Sequence, residues 1–421
     1  MRKMIEQFLS AFSTKEKIFL LLAMITGLLI GGDYAVIRPV SHSFFIHFYG
    51  SKAFPYVWLC TVPINLLAVS LYNYFLPRLG CFRLFCVITA LIAFGNFLTG
   101  LFIEQIPFIS FAFYIWKEVY VLIMLQQLWS VIHATIALQE AKYLYGVLFG
   151  FGALGGFLGS LVPGFLAVKM GSQSLLFFTL PIYAVLVVVY LFLLRHAGPL
   201  EEIKTQKTKQ SSSFSKGMQL ISSSKLLMAI LCMTVFMQIT ATITDFQFQS
   251  FLEKVYPEKD LRTEFFGRLT SFGNVLTMFS QFFGTFLLIR FLGLQKTHML
   301  VPFLLALSAI SFVLFPSFGP ISCGFLLIKC FDFSIFAVIK EMLYIPMRIE
   351  EKFQAKAIID VFVYRSAKVV ASLAILGLQL FLPSYGLSFL SFLNLSLFVA
   401  WCFLIAFLRT SYQDAESLAV R

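Results

Sequence analysis

Twelve apolar runs, each long enough to cross a lipid bilayer, follow one another along the 421 residues of this chain. A hydrocarbon core about 30 Å thick takes roughly twenty apolar residues in helical form. The cores of the runs are predicted at 18–37, 54–76, 84–102, 108–137, 144–168, 175–194, 226–250, 265–289, 299–315, 321–346, 357–381 and 387–408. Lipid offers backbone N–H and C=O groups no water, so only helices and closed barrels cross it. The alternating ten-residue segments of a barrel are missing from the sequence. The expected class is an all-α membrane protein. Composition agrees, with 59% hydrophobic residues, 12% charged residues and 52 phenylalanines.

The net charge of +12 is not the mark of a nucleic-acid partner, because the excess sits in short loops between apolar runs. Of 32 lysines and arginines, twenty fall on one side of the predicted topology and five on the other. By the positive-inside rule this places both termini in the cytoplasm. A multi-pass protein of the cell inner membrane is expected, monomeric, with the lipid bilayer as its surroundings and no nucleic acid bound. The first run starts only after Lys15-Glu16-Lys17 and has no small-residue cleavage site, so no signal peptide is expected. The seven cysteines are scattered, without a C-x-x-C pair, and imply neither disulfide framework nor metal.

His196–Ser224 is the longest polar stretch, rich in Lys, Ser, Thr and Gln. It reads as a flexible cytoplasmic linker between two six-helix bundles, residues 1–195 and 225–421. The halves repeat weakly. Arg78-Leu79-Gly80 follows the second run and Arg290-Phe291-Leu292-Gly293 follows the eighth. Lys117-Glu118 lies in the fourth run and Lys340-Glu341 in the tenth. Such matches are what a parallel six-plus-six duplication gives, and they point to a major-facilitator-like architecture.

Charges inside the membrane cost about 2.5–3.5 kcal/mol each on insertion scales and mark function. Here they gather in Ile335–Lys368, with Lys340 and Glu341 in one run, a basic hinge from Met347 to Lys356, and Asp360, Arg365 and Lys368 in the next. Arg38, Lys117, Glu118 and Asp245 match them elsewhere. Successive helical residues point about 100° apart, so neither Lys-Glu couplet is expected to pair within itself. Lys329 and Asp332, three apart, are expected to pair with each other. Arg365 and Lys368 are like charges on one face. They need either an anionic ligand or a carboxylate from another helix, Asp245 or Glu341, between them. Asp245 lies among Thr240, Thr242, Thr244, Gln247 and Gln249, a run that either lines water and ligand or packs helices together. The glycines of the fifth run, with Gly152/Gly156 and Gly155/Gly159 at small-xxx-small spacing, read as a helix-packing surface. No catalytic triad, metal cluster or Walker motif is present in the sequence. An enzyme and a bound cofactor are not expected.

Lys340-Glu341-Met342-Leu343-Tyr344-Ile345-Pro346, then Lys356-Ala357-Ile358-Ile359-Asp360-Val361 and Lys368, resembles the ATP/ADP translocases of plastids and obligate intracellular bacteria. Glu140-Ala141-Lys142-Tyr143 with Tyr145 and Phe149-Gly150, and Ile37-Arg38 with Tyr34, are further likenesses. The resemblance implies twelve spans, a major-facilitator-like fold and nucleotide transport by alternating access, with Glu118, Asp245 and Lys368 at the positions of charges that transport needs. Arg38, Lys117, Lys340, Arg365 and Lys368 would then supply positive charge to an anionic substrate. Glu118, Asp245 and Glu341 would orient those cations or relay protons. The chain departs from the family at Ser41-His42 and at Phe248-Gln249-Ser250-Phe251, where cations are missing. An importer of another small anionic metabolite, with or without proton coupling, is the alternative.

Overall fold

The computed structural model describes residues 13–135, 138–197, 214–344, 355–382 and 386–408. Among them no strand occurs, and helices follow one another with short turns between. In chain order they are α1 Thr14–Tyr49, α2 Phe54–Phe102, α3 Pro107–Thr135, α4 Leu138–Met170 and α5 Leu180–His196. After them come α6 Phe214–Ser223, α7 Lys225–Val255, α8 Lys259–Phe279, α9 Thr285–Leu292 and α10 Leu294–Leu314. The last four are α11 Phe318–Phe331, α12 Ala337–Leu343, α13 Tyr364–Phe381 and α14 Gly386–Phe407.

Local chemistry sets several ends. Ser13 and Glu16 form a capping box for α1, the Ser13 N–H donating to Glu16 Oε2 at 2.8 Å and the Glu16 N–H to Ser13 Oγ at 3.3 Å. Ser224 caps α7 by accepting from the Leu227 N–H at 3.4 Å. Gly171, at φ 79°, closes α4.

Among the described residues ten helical segments are long and apolar enough to cross a membrane. This differs from the twelve expected in two places, each with a cause. α2 continues through the turn predicted after Leu76, and 49 residues of straight helix would be roughly 70 Å long, over twice a bilayer core. The backbone breaks at Gly80, with φ 73° and ψ 167°. The predicted 265–289 run is divided by a π-helical turn, Ser280–Gly284, and α8 opens with Lys259, Asp260, Arg262 and Glu264. That first half is too polar to register as a span.

Gly293 has almost the same backbone as Gly80, φ 81° and ψ 164°. The pair that suggested a repeat in the sequence therefore shares one turn geometry. This region of φ/ψ space belongs essentially to glycine, at about 1–3 kcal/mol for other residues. A Cβ on Gly80 would meet nothing within 4 Å, so alanine there tests the backbone alone. Gly80→Ala is expected to lower the thermal midpoint of the detergent-solubilised protein by several degrees. An unchanged midpoint would contradict the turn.

The chain groups into two compact units. One is Met1–Phe48, Pro63–Gln210 and Glu258–Val275, and the other is Tyr49–Val62, Ser211–Pro257 and Leu276–Arg421. The first has a core including Phe19, Ile37, Phe44, Phe113, Tyr120 and Tyr190. The second packs Ile230, Met237, Val301, Ile339, Trp401 and Ile405. Large apolar side chains such as Leu67, Phe94, Phe165, Phe291, Phe381 and Phe407 are exposed, which is the surface a lipid-facing helix presents.

Within the first unit α1 and α4 meet backbone to backbone. A Cβ on Gly31 would strike the Gly152 carbonyl, one on Gly155 the Leu28 carbonyl, and one on Gly159 the Gly32 carbonyl. The glycine run is the packing surface its spacing announced.

Part of the expected linker, residues 214–223, is the helix α6, with Ile221 buried. The spacing of Phe214, Met218 and Ile221 is i, i+4, i+7, an apolar stripe within the polar stretch. Most of the Met347–Lys356 hinge lies outside the described residues, as do the side chains of Glu140, Ala141, Lys142 and Tyr143.

Candidate functional site

The charged side chains at membrane depth form two sets, one in each unit. In the first, α3 carries the Lys117-Glu118 couplet. Lys117 Nζ lies 2.6 Å from Glu118 Oε1, so the couplet does pair within itself. The expectation from Cα directions failed because a lysine stem of four methylenes bends back across one residue. Lys117 is wholly buried, whereas the Glu118 side chain is 29% exposed. The ammonium faces the Tyr114 ring at 3.9 Å and the Tyr34 ring at 5.9 Å. Tyr34 donates its hydroxyl to Glu118 Oε1 at 3.2 Å. Arg38, one turn after Tyr34 on α1, stands over the Tyr34 ring at 6.0 Å and the Phe266 ring at 5.6 Å. Asp33, buried nearby in sequence, accepts from the Tyr183 hydroxyl at 2.6 Å and the Tyr120 hydroxyl at 2.9 Å. Asn96 Nδ2 donates onward to Tyr183 at 2.5 Å. That network ties α1, α2, α3 and α5 together.

In the second unit α7 supplies Asp245. Its Oδ2 is 3.4 Å from Lys329 Nζ, and its Oδ1 accepts from Gln249 at 3.3 Å. Lys329 therefore reaches Asp245 on another helix and not Asp332. The α-helical register between the two is intact, with the Asp332 N–H donating to the Ile328 and Lys329 carbonyls, so the choice is made by the partners that neighbouring helices bring to each side chain. Asp332 instead accepts from Gln238 at 3.3 Å and from the Tyr364 hydroxyl at 3.4 Å.

The polar run on α7 divides its work. Thr240 and Thr242 donate to carbonyls one turn back, both at 2.7 Å. Gln247 donates to Ser391 at 2.8 Å, and Asn394 donates to Thr244 at 2.9 Å, both fastening α14 to α7. These residues pack helices. The cavity they border with Ser308 and Gly324 has a volume of about 20 Å³, room for one water and no more.

The stretch around Lys340 forms a crossed ladder. Lys340 Nζ lies 2.9 Å from Asp360 Oδ1, and Lys356 Nζ lies 2.6 Å from Glu341 Oε1. Asp360 and Lys356, four apart, thus face a Lys-Glu couplet of opposite order. Here the couplet does not pair within itself. The ammonium of Lys340 approaches Oδ1 without hydrogen-bond alignment, so this contact is Coulombic. Its side chains are 15% and 21% exposed, against 36% and 47% for the outer pair. Exposed pairs contribute about 0–1 kcal/mol. Losing one partner of a buried pair costs about 3–5 kcal/mol, so the inner rung carries more.

Arg365 and Lys368 follow on α13, after a third π-helical turn, Ala357–Val363. The carboxylates named for them in the sequence have the partners above, Lys329 for Asp245 and Lys356 for Glu341. Lys368 Nζ lies 5.2 Å from the Trp58 ring. Among the described residues Arg365 has no ion pair within 4.0 Å. Tyr114 and Trp58 beside the lysines were not legible beforehand, because 17% of the chain is aromatic and no one ring stands out.

Residues 318–412 match the family described as TLC ATP/ADP transporter. No curated protein matches the chain. Among solved structures it is similar to a mutant of the nucleoside transporter NupG, with TM-score 0.64 and 14% identity over 92% of this chain and 99% of that one. NupG itself gives TM-score 0.63 at 12% identity, over 94% and 99% of the two chains. A bacterial homolog of the human lysosomal transporter Spinster, inward-facing and unoccupied, gives 0.53 at 12%, over 97% and 98%. Likeness at such identities establishes the fold: a nearly all-helical, multi-pass membrane protein of the major-facilitator kind.

Proposed function

We propose that the chain is a membrane transporter of nucleotides, working by alternating access across a cell inner membrane. One observation carries this reading. The 318–412 segment that matches the ATP/ADP transporter family is also the segment that holds Lys340, Glu341, Asp360, Arg365 and Lys368. The fold of a nucleoside transporter around it supports the same substrate class. Counting the Gly80 break as a turn, and Lys259–Leu292 as a crossing, makes twelve spans, with both termini cytoplasmic and the protein monomeric.

Arg38, Lys340, Arg365 and Lys368 supply positive charge to the substrate in this reading. Glu118, Asp245 and Glu341 hold cations in place or accept from substrate donors. Arg365 suits phosphate because its guanidinium offers a planar fork of donors. The transport is ATP/ADP-type exchange or nucleotide import.

A second reading, import of another small anionic metabolite, rests on the missing cations. Ser41-His42 stands where the family has Lys-Asp, so the cation is lost at Ser41, and His42 is buried between the Tyr114 and Phe266 rings at 4.9 and 5.3 Å. Uptake of labelled nucleotides by cells expressing the protein decides between the two. Nucleotides should compete with one another, and amino or organic acids should not. Lys368→Ala and Glu118→Ala are each expected to lower the initial rate roughly tenfold or more, the equivalent of about 1.4 kcal/mol. Wild-type rates would remove these residues from the mechanism.

A further inference from the structure

The Lys117-Glu118 couplet joins a wholly buried cation to a carboxylate that is 29% exposed. The ammonium is held from two sides, by Glu118 Oε1 at 2.6 Å and by the Tyr114 ring at 3.9 Å. A desolvated cation on an aromatic face and a charge-assisted hydrogen bond are each stronger than their solvent-exposed counterparts. Turning Lys117 out toward a ligand would forfeit both. It would also leave the carboxylate without its nearest cation. Tyr34 donates to the same Oε1 at 3.2 Å, so that oxygen is fixed by two donors. Glu118 is thereby held in one orientation, and it is the member of the couplet with exposed surface.

We propose that Lys117 is a positioning residue, acting on the substrate only through Glu118. The carboxylate meets the substrate, and it does so at a hydroxyl or N–H donor, since phosphate would be repelled. This rests on the nucleotide-transport reading and deepens it.

The test compares Glu118→Gln with the double variant Lys117→Met/Glu118→Gln. Initial uptake and KM are measured for a nucleotide that the wild-type protein takes up, per molecule of protein in the membrane. The double variant also removes the buried ammonium that Glu118→Gln leaves without its carboxylate, so its folding is no worse. Its kcat/KM is expected to stay within about threefold of Glu118→Gln, because the two residues act as one unit. Any larger further loss, with KM rising, overturns the proposal, since Lys117 would then meet the substrate itself. Wild-type behaviour of Glu118→Gln also overturns it. Where uptake by Glu118→Gln is too slow to follow, Kd from titration of the purified proteins carries the same comparison. Failure of the wild-type protein to take up or bind any nucleotide is a different result, and removes the transport reading itself.

Discussion

Membranes from cells expressing Gly155→Val are expected to hold almost none of the folded protein. A Cβ at this position would lie inside the Leu28 carbonyl group of α1, and backbone cannot swing aside as a side chain can. The neighbouring contacts at Gly31/Gly152 and Gly159/Gly32 allow no shift along the helix, because each is equally close. Overpacking usually costs about 1–3 kcal/mol where side chains adjust. Here two helices must separate along their whole contact, so the cost exceeds that range. Fluorescence-detected size exclusion of a tagged protein reads the outcome directly. Gly80→Val serves as a control, with strain at one turn but open space around it. Normal yield of monodisperse Gly155→Val would refute the close approach of α1 and α4.

The second large effect is expected on uptake. Asp360→Asn removes the carboxylate 2.9 Å from Lys340 Nζ and leaves a mostly buried ammonium without it. For a fully buried pair that costs about 3–5 kcal/mol, and the residual 15% and 21% exposure of these side chains reduces it. Uptake is expected to fall roughly tenfold or more for a separate reason, because Lys340, proposed to serve the substrate, loses the carboxylate that places it. Glu341→Gln breaks the outer rung, where 36% and 47% exposure bring the loss below about 1 kcal/mol of stability. The ordering of the two variants is the discriminating result. Equal effects would mean the ladder's two rungs are alike in burial, contrary to the structure. A Lys340→Met/Asp360→Asn pair should regain stability while leaving uptake low, because Lys340 is proposed to serve the substrate as well.

Much of the fold is legible in the sequence, for simple physical reasons. Hydrocarbon admits so few solutions that long apolar runs fix both helices and class. Gly155 and Gly159 announce close packing because small residues four apart let two helix backbones approach. The Gly80 and Gly293 turns match in backbone as they match in sequence. The partners of charges are another matter. Lys329 chooses Asp245 over Asp332, and Lys340 chooses Asp360 over Glu341, because pairing depends on where distant helices run. Spacing rules place two side chains on one face of a helix and say nothing of what a facing helix offers them. Lys117 defeats the same rules in the opposite way, by being long enough to reach its own neighbour. The apolar stripe of helix α6, Phe214, Met218 and Ile221, is diluted in the sequence by the serines and lysines around it.

Three π-helical turns interrupt the second unit, at Ser280–Gly284, Asp332–Phe336 and Ala357–Val363, and none occurs among the described residues of the first. Each stores an added residue in a turn whose hydrogen bonds are wider and weaker than those on either side. The helices of the first unit are fastened by glycine contacts and a tyrosine-bound aspartate, while those of the second are interrupted by π-helical turns in three places. Two of these turns lie along the chain immediately beside Lys340, Asp360 and Arg365, so the helices that carry those charges have their weakest hydrogen bonds next to them.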